Sequence, residues 1–239
     1  MDNGYYYNND YNNASAGERI SVNEYMQKTF YLMFLGLLAT FAVAYFGFKT
    51  GFVYRMCQSM GLVLFILAAQ VIFVMVLSAK VQQLSVGTAT GLFFGYAVLN
   101  GFAFSVYFAV YSASTLNLVF ILAALFFFAM ATYGKVTKRD LSNLRSLLFG
   151  GMIFLAVFWL ISMFLNLSAF EGIVCVVGLL IFMGVTAYDM QRIKDYYSYY
   201  SYDAEMVEKS AIFSALQLYL DFINIFVYLL RIFGSRRRD

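Results

Sequence analysis

AIFSALQLYLDFINIFVYLL, residues 211–230, is an apolar run broken near its centre by one aspartate, with ten residues before Asp221 and nine after it. At ~1.5 Å rise per residue, a helix of this length matches the ~30 Å hydrocarbon core, which puts the carboxyl ~15 Å from either surface. An ionisable group at that depth costs roughly 2.5–3.5 kcal/mol by insertion scales and marks an ion or proton path by default. The segment therefore reads as a membrane helix built around a functional acid.

The residues flanking Asp221 follow a pattern. Ser214, Gln217, Asp221, Asn224, Tyr228 and Arg231 recur at spacings of three and four, which puts all six on one helical face. The opposite face carries Leu216, Leu220, Ile223, Phe226, Val227 and Leu230, free to meet lipid or apolar neighbours. Lipid offers the polar stripe no partners, so it must turn towards a bundle interior or a wet cavity. Amides alone would be read as glue between helices. A carboxyl at mid-depth shifts the balance towards function.

Six further apolar runs, at 30–48, 61–79, 87–110, 116–133, 147–165 and 172–188, are each long enough to span. Hydrophobic residues make up 62% of the 239, and charged residues 12%, about half of the ~25% usual in soluble domains. The expected fold is an all-α membrane protein, a seven-helix bundle with the last helix central. Barrel strands would be shorter and would alternate. The expected organisation is a disordered tail over 1–29, a bundle over 30–232 and a basic tail over 233–239.

The tail begins MDNGYYYNNDYNNASAGERI, rich in Asn and Tyr and without a hydrophobic period. It reads either as a solvated terminus or as a handle for a partner. The first apolar run is too long for a secretory signal and lacks a basic segment before it.

Several chemistries are excluded by what the chain lacks. It has no histidine, which removes Ser-His and Cys-His nucleophile pairs and the commonest zinc ligand. Cys57 and Cys175 stand far apart, and Cys175 lies in an apolar run where packing is its expected role. No lysine occurs in 211–230 to form a retinal Schiff base, and no glycine-rich loop leads into a helix as a phosphate cradle would. The net charge of +3 is spread over loops, so nucleic acid is not an expected partner. Without histidine, a response to pH near neutrality has to come from carboxyl groups in unusual surroundings.

Asp189 is the natural partner for Asp221. It closes the sixth apolar run in GLLIFMGVTAYDMQRIK, and helices joined by one loop are commonly neighbours. Two carboxyls within hydrogen-bond distance share a proton and titrate as a unit. The plainer alternative is a helix end in water, with Asp189 beside Arg192 and Lys194. In the third run, Gly87, Gly91 and Gly95 repeat every four residues and predict close approach of a neighbouring backbone. Lys and Arg number ten on the side of the N-terminal tail and six on the other, which predicts a cytoplasmic N-terminus although 236–238 is an Arg cluster. The Tyr-rich stretch 195–203 reads as an interfacial aromatic belt.

LSAKVQQLS (77–85), LFFGYAVLNGFAFS (92–105), YGKVTKRDLSNL (133–144), TAYDMQRIK (186–194) and LYLDFINIF (218–226) resemble the Bax inhibitor motif family, in particular its bacterial branch. The resemblance runs from about residue 20 to the C-terminus. It implies a seven-helix bundle with a central last helix and a pH-sensitive calcium leak channel controlled by Asp189 and Asp221. It further implies a basic residue near the end of the second membrane helix as counter-charge. Lys80 is the nearest match, where arginine is more typical, so a forked bidentate contact is not expected. Gln70 stands where some relatives carry an acid.

The resulting expectation is a passive calcium leak gated by Asp189 and Asp221, with Gln217 and Asn224 in support. Calcium takes six to eight oxygens, so these groups would form a transient site completed by water, with no tightly bound cofactor. The partners are the lipid bilayer and calcium ions, in a bacterial inner membrane. A regulatory alternative engages a membrane protease or a cell-death or stress partner through the tail. Tyr188-Asp189 also fits the YD of presenilin-type intramembrane aspartyl proteases. Their GxGD, however, is replaced here by Leu218-Tyr219-Leu220-Asp221, and a chain without proline lacks their Pro-Ala-Leu element. No enzymatic activity is expected.

Overall fold

Serines and one aspartate set where the helices begin. In the computed structural model, which describes residues 21–234, Ser21, Ser59, Ser85, Ser112 and Asp203 each accept a backbone N–H of the helix that follows. Each satisfies donors that a helix N-terminus otherwise leaves open. The elements are α1 (Val22–Lys49), α2 (Phe52–Gln58), α3 (Met60–Lys80), α4 (Val86–Val110), α5 (Ala113–Val136), a 3-10 turn (Leu141–Leu144), α6 (Arg145–Ser162), α7 (Ser168–Tyr200) and α8 (Ala204–Phe233). Seven of them, with the 3-10 turn joined to α6, are long and apolar enough to cross a membrane. The short α2 follows Gly51, whose φ of 73° turns the chain at the end of α1.

Two boundaries differ most from those predicted. Helix α1 starts at Val22, not at residue 30, because Ser21 and Glu24 form a reciprocal capping box. Tyr25 and Thr29, assigned to the tail by the sequence, are buried. The rest of that tail, 1–20, lies outside the described residues, as do 235–239 with their Arg cluster. Asp189 does not end its helix either. Helix α7 continues eleven residues further, to Tyr200, so the carboxyl sits within a regular helix.

Helix α8 is the most enclosed span, with 72% of its apolar window buried, against 11% in α3 and 6% in the α6 span. Its neighbours are α1, α4, α5 and α7, whereas α3 leans on α4 and α6 on α7. Four helices therefore pack against it. The face carrying Leu216, Ile223 and Phe226 meets protein, not lipid. Phe226 packs against the rings of Phe41 and Phe104, and Phe222 against Phe120 and Phe127.

The glycine stripe of α4 behaves differently from its prediction. Around Gly87 and Gly91 a side chain would meet open space, and at Gly95 it would meet only the Phe73 ring. Backbone approach occurs elsewhere. A Cβ at Gly134 of α5 would collide with the carbonyl of Ala187 on α7, and one at Gly101 would meet the Thr40 carbonyl at 2.8 Å. Close α5–α7 packing thus holds the segment of α7 immediately before Asp189.

Candidate functional site

Two consecutive residues of α7 and one stripe of α8 define the site. Tyr188 and Asp189 come from α7, and Gln217, Asp221 and Asn224 from α8. All five line a cavity of about 460 Å³ whose remaining wall is the start of α6, through Arg145, Leu148 and Met152. The cavity lies where α6 and α8, both packed on α7, stand apart.

Asp189 is 7% exposed and Asp221 3%. Both residues line the same cavity. The Oδ2 of Asp221 is fully buried and has no hydrogen-bond partner among the described residues. Burying a carboxyl oxygen unpaired is unfavourable, which sets this atom apart from the other buried polar groups of the bundle. The Thr186 hydroxyl of α7 donates to the Phe182 carbonyl at 2.8 Å. The Asn224 amide donates to Leu220 O at 2.8 Å, leaving its own oxygen as an acceptor.

Two arginines belong to this cavity. Arg192, three residues after Asp189 on the same helix, lines the cavity with it. Its guanidinium lies 5.5 Å from the Tyr188 ring centroid and 4.9 Å from that of Tyr196. Cation–π contact with both rings holds it alongside the acid, without an ion pair. Among the described residues the ion pairs are Lys28–Glu208 and Lys209–Glu205, and neither involves the site. Arg145, the first residue of α6, is placed by the 3-10 turn before it. Asp140 caps that turn, and Gln191 of α7 clamps it by accepting from Leu141 N at 2.9 Å and donating to Arg139 O at 2.9 Å.

Lys80 is not at the cavity. It is exposed at the end of α3, a helix that packs on α2 and α4, and does not line the cavity. The basic residues that do line it are Arg192 and Arg145. Sequence reasoning treated Arg192 only as a marker of a helix end. The continuing helical spacing from Asp189 to Arg192, one turn, was the signal that could have identified it.

A family model described as "Inhibitor of apoptosis-promoting Bax1" matches residues 22–238, nearly the whole chain. The protein belongs to the Bax inhibitor family. Among the relatives of this Bax inhibitor family member is the inner membrane protein YbhL of Escherichia coli strain K12. The two are 38% identical over 221 residues, covering 92% of this chain and 94% of YbhL. An uncharacterized protein of Borreliella burgdorferi is 36% identical over 219 residues, covering 91% of this chain and 94% of its own length. One of Deinococcus radiodurans is 36% identical over 215 residues, covering 90% and 92%. With seven spans of sufficient length and apolarity, this family member is an integral membrane protein.

Proposed function

We propose that this protein is a passive, pH-sensitive calcium leak channel of a bacterial inner membrane, switched by protonation of Asp189 and Asp221. The observation that carries the reading is the unpartnered Oδ2 of Asp221, buried beside a second carboxyl at a 460 Å³ cavity. The name of the E. coli relative supports the membrane assignment.

The chemistry is that of a weak, wet site. Two carboxylates and the side-chain oxygens of Gln217 and Asn224 offer hard ligands suited to calcium but fewer than the six to eight it takes, so the ion keeps part of its water. Incomplete coordination lets the ion leave, as conduction requires. A carboxyl that takes up a proton loses its charge and becomes a hydrogen-bond donor, which removes the attraction for a cation. Arg192, held by two tyrosine rings, lowers the net negative charge without occupying the carboxyls.

Purified protein in liposomes loaded with a calcium indicator tests this. Calcium entry that changes with pH across the neutral range, and is absent from empty liposomes, is the expected result. Peptide cleavage without calcium entry in the same vesicles would instead favour the protease reading.

A further inference from the structure

Beyond Asn224, the polar stripe of α8 continues to Tyr228 and Arg231, and here the character of the packing changes. Tyr228 is only 5% exposed, and its ring fills the space one turn past the cavity. A Cβ on Gly178 of α7 would meet that ring at 2.5 Å, so only glycine lets the tyrosine close against α7. Phe182, which lines the cavity, lies against the same ring, with centroids 5.9 Å apart and planes 31° from parallel. From α6, the Trp159 indole N–H donates to the Tyr228 hydroxyl at 3.4 Å. The Arg231 guanidinium lies 3.9 Å from the Trp159 ring centroid, and Arg231 itself is exposed. Helices α6 and α8, which stand apart around Asp221, are thus drawn together against α7 two turns later.

We propose that Tyr228, braced by Phe182 and Trp159, is the closure that separates the acidic cavity from the side of the membrane reached by the C-terminal end of α8. The proposal rests on the leak reading for its purpose, since a continuous leak needs this closure to yield. Displacing one aromatic ring past Gly178 would join the cavity to the far surface. Arg231 then stands at that mouth and fixes Trp159 through its cation–π contact. Asp189 and Asp221 bind the ion, and Tyr228 determines whether the path beyond them exists.

Thiol accessibility tests the closure without relying on flux. In protein carrying Cys57→Ser and Cys175→Ala, Asn224→Cys places one thiol at the inner end of the cavity. An impermeant thiol reagent confined to the side of the α8 C-terminus is expected to leave it unmodified. With Tyr228→Ala added, protection is lost, whereas Tyr228→Phe keeps the ring and keeps the protection. Trp159→Ala provides a second opening variant should Tyr228→Ala fail to fold. Modification with Tyr228 intact, or persistent protection in the folded opening variants, overturns the proposal. If the unsubstituted protein passes no calcium while labelling still follows Tyr228, the leak reading falls and the closure stands. If it conducts and the opening variants stay protected, the reverse holds.

Discussion

Tyr219 and Asp221, two residues apart on α8, point to opposite sides of the helix and meet opposite environments. The Tyr219 hydroxyl lies 2.6 Å from the Thr40 hydroxyl and accepts from the Asn100 amide at 2.8 Å. Thr40 also contacts Ala97 O at 2.9 Å, and Gln70 donates to Asn100 at 3.4 Å. These bonds tie α1, α3 and α4 to α8 with their polar atoms paired. Asp221 instead presents an unpaired oxygen near the cavity shared with α6 and α7. One side of the helix is fastened and the other is left open to a ligand or proton.

The fastened side makes a stability prediction. Tyr219→Phe removes both hydroxyl contacts and leaves an Asn100 N–H without its acceptor. Side-chain hydrogen bonds inside membrane proteins average about 0.6 kcal/mol and reach about 1.7. The variant is expected to lose ~1–2 kcal/mol in an unfolding titration, with the pH profile of calcium entry unchanged. A shifted profile with full stability would place Tyr219 in the ion path instead.

The open side makes the functional one. Asn keeps the shape of Asp but neither ionises nor exchanges a proton near neutrality. Asp221→Asn is expected to abolish the pH dependence and most of the calcium flux, because the mid-depth charge is gone. Asp189→Asn should flatten the pH response and spare more conduction. Asp195, exposed on α7 beyond the cavity, is the control, and Asp195→Asn should behave as the parent. Wild-type pH profiles in both site variants would remove the carboxyl pair as sensor, and a chain with no histidine has no other obvious titrating group near neutrality.

Much of this was legible because the bilayer enforces it. Seven apolar runs of spanning length became helices since lipid leaves backbone groups no alternative, and the spacing of Gln217, Asp221 and Asn224 placed them together for the same reason. Less legible were contacts decided between helices. The α4 glycines are spaced for close approach, yet Gly87 and Gly91 meet nothing, while Gly134, without such a repeat, abuts α7. Small-residue spacing says that a backbone can come near, not that one does. Nothing in the spacing of α3 showed that it packs on α2 and α4, which leaves Lys80 outside the cavity lining.

Asp140 offers a test of how α6 is held. Its side chain accepts from Ser142 N at 2.8 Å, and that backbone bond holds its carboxyl below the ordinary value. A carboxylate depressed in the folded state stabilises above its unfolded pKa and loses that contribution as pH falls through the folded one. The cap is therefore intact at neutral pH and weakens in acid, below the usual carboxylate range. Asp140→Ala is expected to loosen the start of α6, read as faster amide exchange over 141–145 at pH 7, with the difference from the parent shrinking in acid. A difference that grows in acid would contradict the cap.

Arg192 provides the sharpest contrast with the sequence reading, because it and Lys80 compete for one role. Arg192 lines the cavity with Asp189 and is held by the Tyr188 and Tyr196 rings, whereas Lys80 is exposed on a helix that does not wall the cavity. Removing a positive charge beside a carboxyl makes its ionised form harder to maintain. Arg192→Gln is therefore expected to displace the midpoint of the pH response of calcium entry. Lys80→Gln should leave the midpoint in place. Arg192→Lys keeps the charge but cannot stack its flat face on both rings, so an intermediate shift is expected. A midpoint that follows Lys80 and ignores Arg192 would mean that α3 closes onto the carboxyls in the working protein, and the counter-charge would then return to the helix where the sequence first placed it.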